Sequence, residues 1–79
     1  MARFFFDIIC EGAVIGDDDG LELRDAEQAR REAVAGARSI MAADLLKGFV
    51  PMNQRIEVKD RSGALVLALP FADAVEFEH

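Results

Sequence analysis

The stretch DAEQARREAVAGARSIMAADLLK, Asp25 to Lys47, decides the fold, because it reads as one long amphipathic helix set between two groups of short extended segments. Asp25 is placed to accept from the unpaired backbone N–H groups of a first helical turn. Gln28, three residues on, is placed to reach back in a capping-box arrangement. Glu27 puts negative charge near the positive end of the helix dipole, and Lys47 followed by Gly48 supplies a cation and a terminator at the far end. At about 100° per residue, Ala26, Ala29, Ala33, Ala37, Ile40 and Met41 share one face, with Val34 and Leu45 on its flank. A face lined by alanines sits close to whatever it packs on, so the partner surface must carry the large side chains. Gly36 costs roughly 1 kcal/mol relative to alanine in a helix interior. Either a close backbone approach offsets that cost or the glycine is simply tolerated.

Working outward towards the N-terminus, Arg3 to Cys10 alternates as a strand, with Phe4, Phe6, Ile8 and Cys10 on one face and Phe5, Asp7 and Ile9 on the other. The first of these faces supplies the bulk that the alanine-lined helix requires. Glu11 and Gly12 make a turn, and Ala13 to Gly16 returns as a second strand. Asp17, Asp18, Asp19 and Gly20 form a polar turn, after which Leu21 and Leu23 flank Glu22 in an extended lead into the helix.

Beyond Gly48, Phe49 to Gln54 is a connection in which Pro51 blocks helix continuation. Arg55 to Asp60 is a third strand, Asp60 to Gly63 a hairpin turn, and Ala64 to Leu69 a fourth strand with Leu65, Leu67 and Leu69 facing the helix. Pro70 ends that strand, Phe71 to Val75 forms a short helical turn, and Glu76 to His79 is a frayed tail or an edge extension. The expected fold is a single α+β domain over residues 1–79, in the order ββαββ, with a four-stranded antiparallel sheet and one long helix packed on one face. Such a helix spans roughly 34 Å against about 20 Å for a six-residue strand, so part of it overhangs the sheet.

At 79 residues the chain is near the size at which one core barely suffices, and a single cysteine removes disulfides as a staple. A good core or oligomerisation must compensate. The hydrophobic fraction of 52% is ample for a core, and the formal charge of -6 opposes nucleic acid or an anionic membrane surface as a partner. The apolar run Phe4 to Cys10 is interrupted by Asp7 and too short to span a bilayer, which makes a cytoplasmic protein the expectation.

The catalytic inventory is close to empty. There is no Tyr, Trp or Thr, the serines are Ser39 and Ser62, and the single histidine, His79, is the last residue. A nucleophile needs a base within reach, so the chain is not expected to be an enzyme, and no cofactor or metal is expected. Cys10, on the Phe-rich face, reads as a small core side chain. Matching Gly20 to the glycine of an EF-hand loop puts Ile15 and Ala26 at the terminal ligand positions, so the acidic turn reads as solvated. Arg24, Arg31 and Arg38 recur every seven residues along one flank of the helix; they form either a docking stripe for a partner or a solvated face in which Glu27 pairs with Arg31. Asp44 falls near the centre of the apolar face, where either the helix has frayed or the carboxylate meets a partner. Phe5, Ile9 and Val66 are expected on the outer sheet face, and with Asp44 they mark a possible homodimer contact.

The opening Arg3-Phe4-Phe5-Phe6, the run Asp19-Gly20-Leu21-Glu22-Leu23-Arg24-Asp25, the helix text Ala37-Arg38-Ser39-Ile40-Met41-Ala42, Arg55-Ile56-Glu57-Val58 and the closing Leu69-Pro70-Phe71-Ala72-Asp73-Ala74-Val75 resemble a family of small uncharacterised proteins from soil and plant-associated bacteria. The resemblance covers nearly the whole chain, and its closing motif is the most specific part. Members of that family typically carry a histidine where this chain has Asp7, so no role for that histidine transfers. The resemblance implies no activity, cofactor or catalytic residue. A looser similarity links Asp25-Ala26-Glu27-Gln28-Ala29 to the HicB type of antitoxin, although the glycine-cysteine-threonine neighbourhood of that family is absent. Two functions are therefore open: a self-associating interaction module, or an antitoxin-like regulatory protein that binds a protein partner.

Overall fold

A computed structural model describes residues 1–77 of the chain. Five strands and one long helix follow in the order β1 (Ala2–Cys10), β2 (Ala13–Ile15), β3 (Leu21–Leu23), α1 (Ala26–Leu46), β4 (Arg55–Lys59) and β5 (Leu65–Pro70), with a 3-10 turn at Phe71–Ala74. The sheet is antiparallel in the order β2-β1-β4-β5, and β3 also pairs with β1. The α+β class and the single helix agree with the sequence. The strand number does not: the lead-in Leu21–Leu23 is a fifth strand, registered with Phe4 opposite Leu21 and Ala2 opposite Leu23. β1 is nine residues long, so the same edge has room for β2 at one end and β3 at the other.

Helix α1 begins and ends where its local chemistry requires. Asp25 is extended, and its Oδ1 accepts from the Gln28 N–H at 2.8 Å. Gln28 Oε1 reaches back to the Arg24 N–H at 2.8 Å, one residue earlier than a capping box would place it. At the other end Lys47 is the cap and Gly48 takes a φ of 93°, while the Phe49 N–H bonds to the Asp44 carbonyl at 2.8 Å and the Gly48 N–H to that of Leu45 at 3.0 Å. This is a Schellman closure, and only glycine takes its left-handed position at no steric cost.

The helix packs over β4, β5 and the 3-10 turn. Ala29, Ala33 and Ala37 are fully buried and share one cluster with Ile56, Val58, Leu69 and Phe71. Ala26 is exposed, so the alanine stripe starts one turn later than expected. Phe71 and Val58 are the largest fully buried side chains, each contributing about 1.5–3 kcal/mol by transfer out of water. The 3-10 turn that carries Phe71 is therefore part of the core. Its neighbours Glu76 and Phe77 are exposed and outside any strand; the expectation of a frayed tail or edge extension falls partly on residues 78 and 79, which lie outside the described residues.

One correction concerns β5. Val58 pairs with Leu67 but Lys59 pairs with Leu65, so Val66 is an extra residue in a bulge. Past a bulge the alternation of faces is reset. Val66 consequently packs against the helix-side core, whereas Leu65, expected to face the helix, is 57% exposed. The bulge makes a testable contrast. Val66→Ser should cost about 1–2 kcal/mol of stability in urea unfolding, while Leu65→Ser should stay within about 0.5 kcal/mol of the parent; a regular strand would give the opposite order.

Candidate functional site

The end of α1 overhangs the sheet, as its length requires. There Met41, Ala42 and Leu45, the connection Phe49–Met52, and Val75 with Phe77 enclose a groove of about 370 Å³. Its walls are almost wholly apolar, with Arg38 the one charged residue among them. Leu45, Phe49, Val50 and Phe77 are all largely exposed at its rim, and Leu46 beside it is 91% exposed. The Schellman closure explains how these side chains gather: it turns the chain back at Gly48, so that Phe49 and Val50 run beside the last helical turn. The groove was not among the surfaces expected from the sequence. Its signal was present in Phe49-Val50-Pro51-Met52, an apolar run inside a connection.

Asp44, expected to meet a partner or to mark fraying, sits inside an intact helix and is half-buried. Its carbonyl closes the helix end by accepting from both Lys47 and Phe49. The arginine flank is not a uniform stripe. Arg38 Nε donates to the Ala74 carbonyl at 2.6 Å and ties the helix to the 3-10 turn, while Arg31 lies 3.5 Å from Glu27 on an exposed surface. Arg24 is exposed at the helix entrance. All three arginines are exposed, but Arg38 is fixed by its bond to Ala74 while Arg24 makes no such tie.

The outer sheet face holds Phe5 and Ile9, both half-buried, but not Val66. Ion pairs surround them: Lys59 with Asp7 at 3.1 Å, Arg55 with Glu57 at 2.9 Å, and Arg3 with Glu22 at 3.1 Å. Phe5 is also approached by the turn before β3. A side chain at Gly20, whose φ is 71°, would place its Cβ 3.0 Å from Phe5 Cε1 and 2.8 Å from the Phe4 carbonyl oxygen. The outer face is therefore a polar lattice around two partly covered apolar residues rather than a continuous patch.

Asp17 bridges the gap between β2 and β3. Three residues of β1 lie between its pairings with Ile15 and Leu21, against five on the returning chain, so no strand carbonyl faces Phe6. Asp17 Oδ2 takes that place and accepts from the Phe6 N–H at 3.1 Å, while Oδ1 accepts from Asp19 and Gly20. Asp17 N–H in turn donates to Asp7 Oδ1 at 3.0 Å. Burial pushes the Asp17 carboxyl up, but the backbone donors Gly20, Phe6 and Asp19 together hold it below the usual aspartate value. At the hairpin turn the Ser62 hydroxyl and the Ser62 and Ala64 N–H groups hold Asp60 ionised in the same way. Ser62 thus serves the turn, and a carboxylate made less basic in this way is a poor general base. Among the described residues no three His, Cys, Asp or Glu side chains converge to hold a metal ion, and no helix is long and apolar enough to cross a membrane.

Residues 3–72 match the profile of a protein family described as Domain of unknown function (DUF6894). The chain belongs to that family. Neither a curated protein nor a solved structure is significantly similar to it. The DUF6894 match takes in all of β2, β3, α1, β4 and β5 and all of β1 but Ala2, and it ends inside the 3-10 turn, so it contains nearly the whole sheet and the Asp7–Asp17 bridge. Two walls of the apolar groove, Val75 and Phe77, lie just beyond it.

The Asp17 bridge gives a pH-dependent expectation. Because its native pKa is lowered, its stabilising effect is fully present above the unfolded value near 3.9 and is lost as pH falls through the native value. Asp17→Ala should cost roughly 1 kcal/mol at pH 7, the low end for unpaired backbone donors because solvent reaches the turn. The gap from the parent protein in urea melts should close as the pH drops below about 4.

Proposed function

We propose that this chain is a small, non-enzymatic, cytoplasmic interaction module that forms a homodimer through the overhanging end of α1. The observation that carries this reading is the apolar groove and the ridge of exposed side chains beside it. A surface of this kind is what self-association requires in a domain whose single cysteine leaves it without a disulfide. At roughly 100 Å² of apolar surface apiece, Leu45, Leu46, Phe49, Val50 and Phe77 from two copies supply on the order of 1,000 Å², the lower bound for a specific interface.

A second copy is the favoured occupant because each chain offers both halves of the contact. Leu45, Phe49 and Val50 stand exposed along the rim as a ridge, and the hollow between Met41, Met52 and Phe77 is a recess of matching chemistry. A two-fold axis sets ridge against recess twice, which closes the assembly at two subunits. Dimerisation through Phe5, Ile9 and Val66 has less support, since ion pairs ring the first two and the bulge turns Val66 to the core. A partner-binding role for Arg24, Arg31 and Arg38 is likewise weakened by the bond that holds Arg38 to Ala74.

Sedimentation velocity between about 10 and 500 μM separates the outcomes. The parent protein should sediment as a dimer in the upper part of that range, a dissociation free energy near 6–7 kcal/mol. Leu46→Glu, at a side chain too exposed to matter for folding, should weaken the dimer at least tenfold with an unchanged melting temperature. A parent protein that stays monomeric at 500 μM removes the proposal.

A further inference from the structure

A second recess lies on the other flank of α1. The helix sits over β4 and β5, so the inner edge of β1 is incompletely covered and Phe6 and Ile8 are left half-buried. Together with Ile40 and Ile56 they floor a cleft of about 280 Å³, walled by Leu21 and opened by Gly36. The ionisable residues lining it are Asp17 and Glu32, both carboxylates.

Gly36 is informative here. An ideal Cβ at this position meets only the Ile56 Cδ1, at 3.7 Å, which is ordinary van der Waals contact. Close helix–sheet packing therefore does not demand glycine. A helix interior nonetheless carries it, against helix propensity, at a position that lines the cleft.

We propose that this cleft binds a small primary alkylamine, with its unbranched chain on Phe6, Ile8 and Ile56 and its ammonium facing the carboxylates of Asp17 and Glu32. Three features support this occupant. The lining carries charge of one sign only, and the chain as a whole has a formal charge of -6, so a cation is drawn in and an anion repelled. Asp17 Oδ2 accepts from Phe6 alone, which leaves it acceptor capacity, and Glu32 makes no ion pair with any described residue. The volume suits about nine non-hydrogen atoms at roughly 30 Å³ each, the size of a six- to eight-carbon amine. An ammonium with an apolar tail is thus matched in charge, length and polarity gradient.

The test is a titration of the ¹⁵N-labelled full chain with hexylammonium, hexanoate and hexanol, followed by amide shifts. Hexylammonium should saturate in the millimolar range with shifts centred on Ile8, Gly36 and Ile40. Hexanoate should bind at least tenfold more weakly. Glu32→Gln should weaken the amine roughly two- to fivefold, as for a solvent-exposed ion pair, and Gly36→Leu should abolish saturation by filling the mouth. If Gly36→Leu fails to fold, Gly36→Ala decides: it should raise the melting temperature and still weaken the amine at least threefold. The proposal is overturned if hexanoate or hexanol binds as well as the amine, if the shifts centre instead on Leu45 and Phe49, if nothing saturates, or if the folded Gly36 variants bind unchanged. Because the cleft and the helix-end groove lie on different flanks, Leu46→Glu should leave amine binding intact, so failure of one reading is distinguishable from failure of the other.

Discussion

The contact between three alanines and a β-sheet holds this domain together. Ala29, Ala33 and Ala37 present almost no side-chain bulk, so the helix lies close to β4 and β5 and large residues fill the space from the other side. Dense packing of this sort tolerates neither voids nor added methylenes. It also shifts the burden of the core onto a few positions, notably Val58 in the middle of the sheet and Phe71 in the turn after it. The other arrangements follow from where that contact lies. Placed over β4 and β5, the helix leaves one flank of β1 open and carries its own C-terminal turn past the sheet.

The sequence made the local part of this arrangement legible and left the long-range part obscure. Helix limits were readable because Asp25, Gln28, Lys47 and Gly48 act on neighbouring backbone groups, and the alanine period needs only the pitch of a helix. The inward face of β1 was readable for the same reason. What escaped were features decided by pairing across the chain. Leu21–Leu23 is too short to announce itself, and it becomes a strand because β1 is long enough to accept it. The bulge at Val66 leaves no trace in Leu65-Val66-Leu67, where every residue is apolar and either alternation is acceptable.

The functional surfaces show the same division. Arg24, Arg31 and Arg38 share a spacing, but spacing cannot reveal that Arg38 finds the Ala74 carbonyl 36 residues away. Asp44 drew attention for its misplaced charge and proved to matter through its backbone carbonyl. The expected overhang of the helix rests on its length, and the groove lies at its C-terminal end. Phe49 and Val50 gave a signal there, since a connection with no apolar role would carry polar residues instead.

The pairing of β1 with β4 also has a kinetic consequence. The β1–β2 and β4–β5 contacts join segments near in sequence, whereas Ile9 meets Arg55 only after the whole helix has been spanned. Closing that long loop loses chain entropy before any native contact rewards it. Each hairpin meanwhile lacks a covered inner face until the helix arrives. The central β1–β4 ladder therefore carries the largest loop-closure cost of any pairing in the sheet.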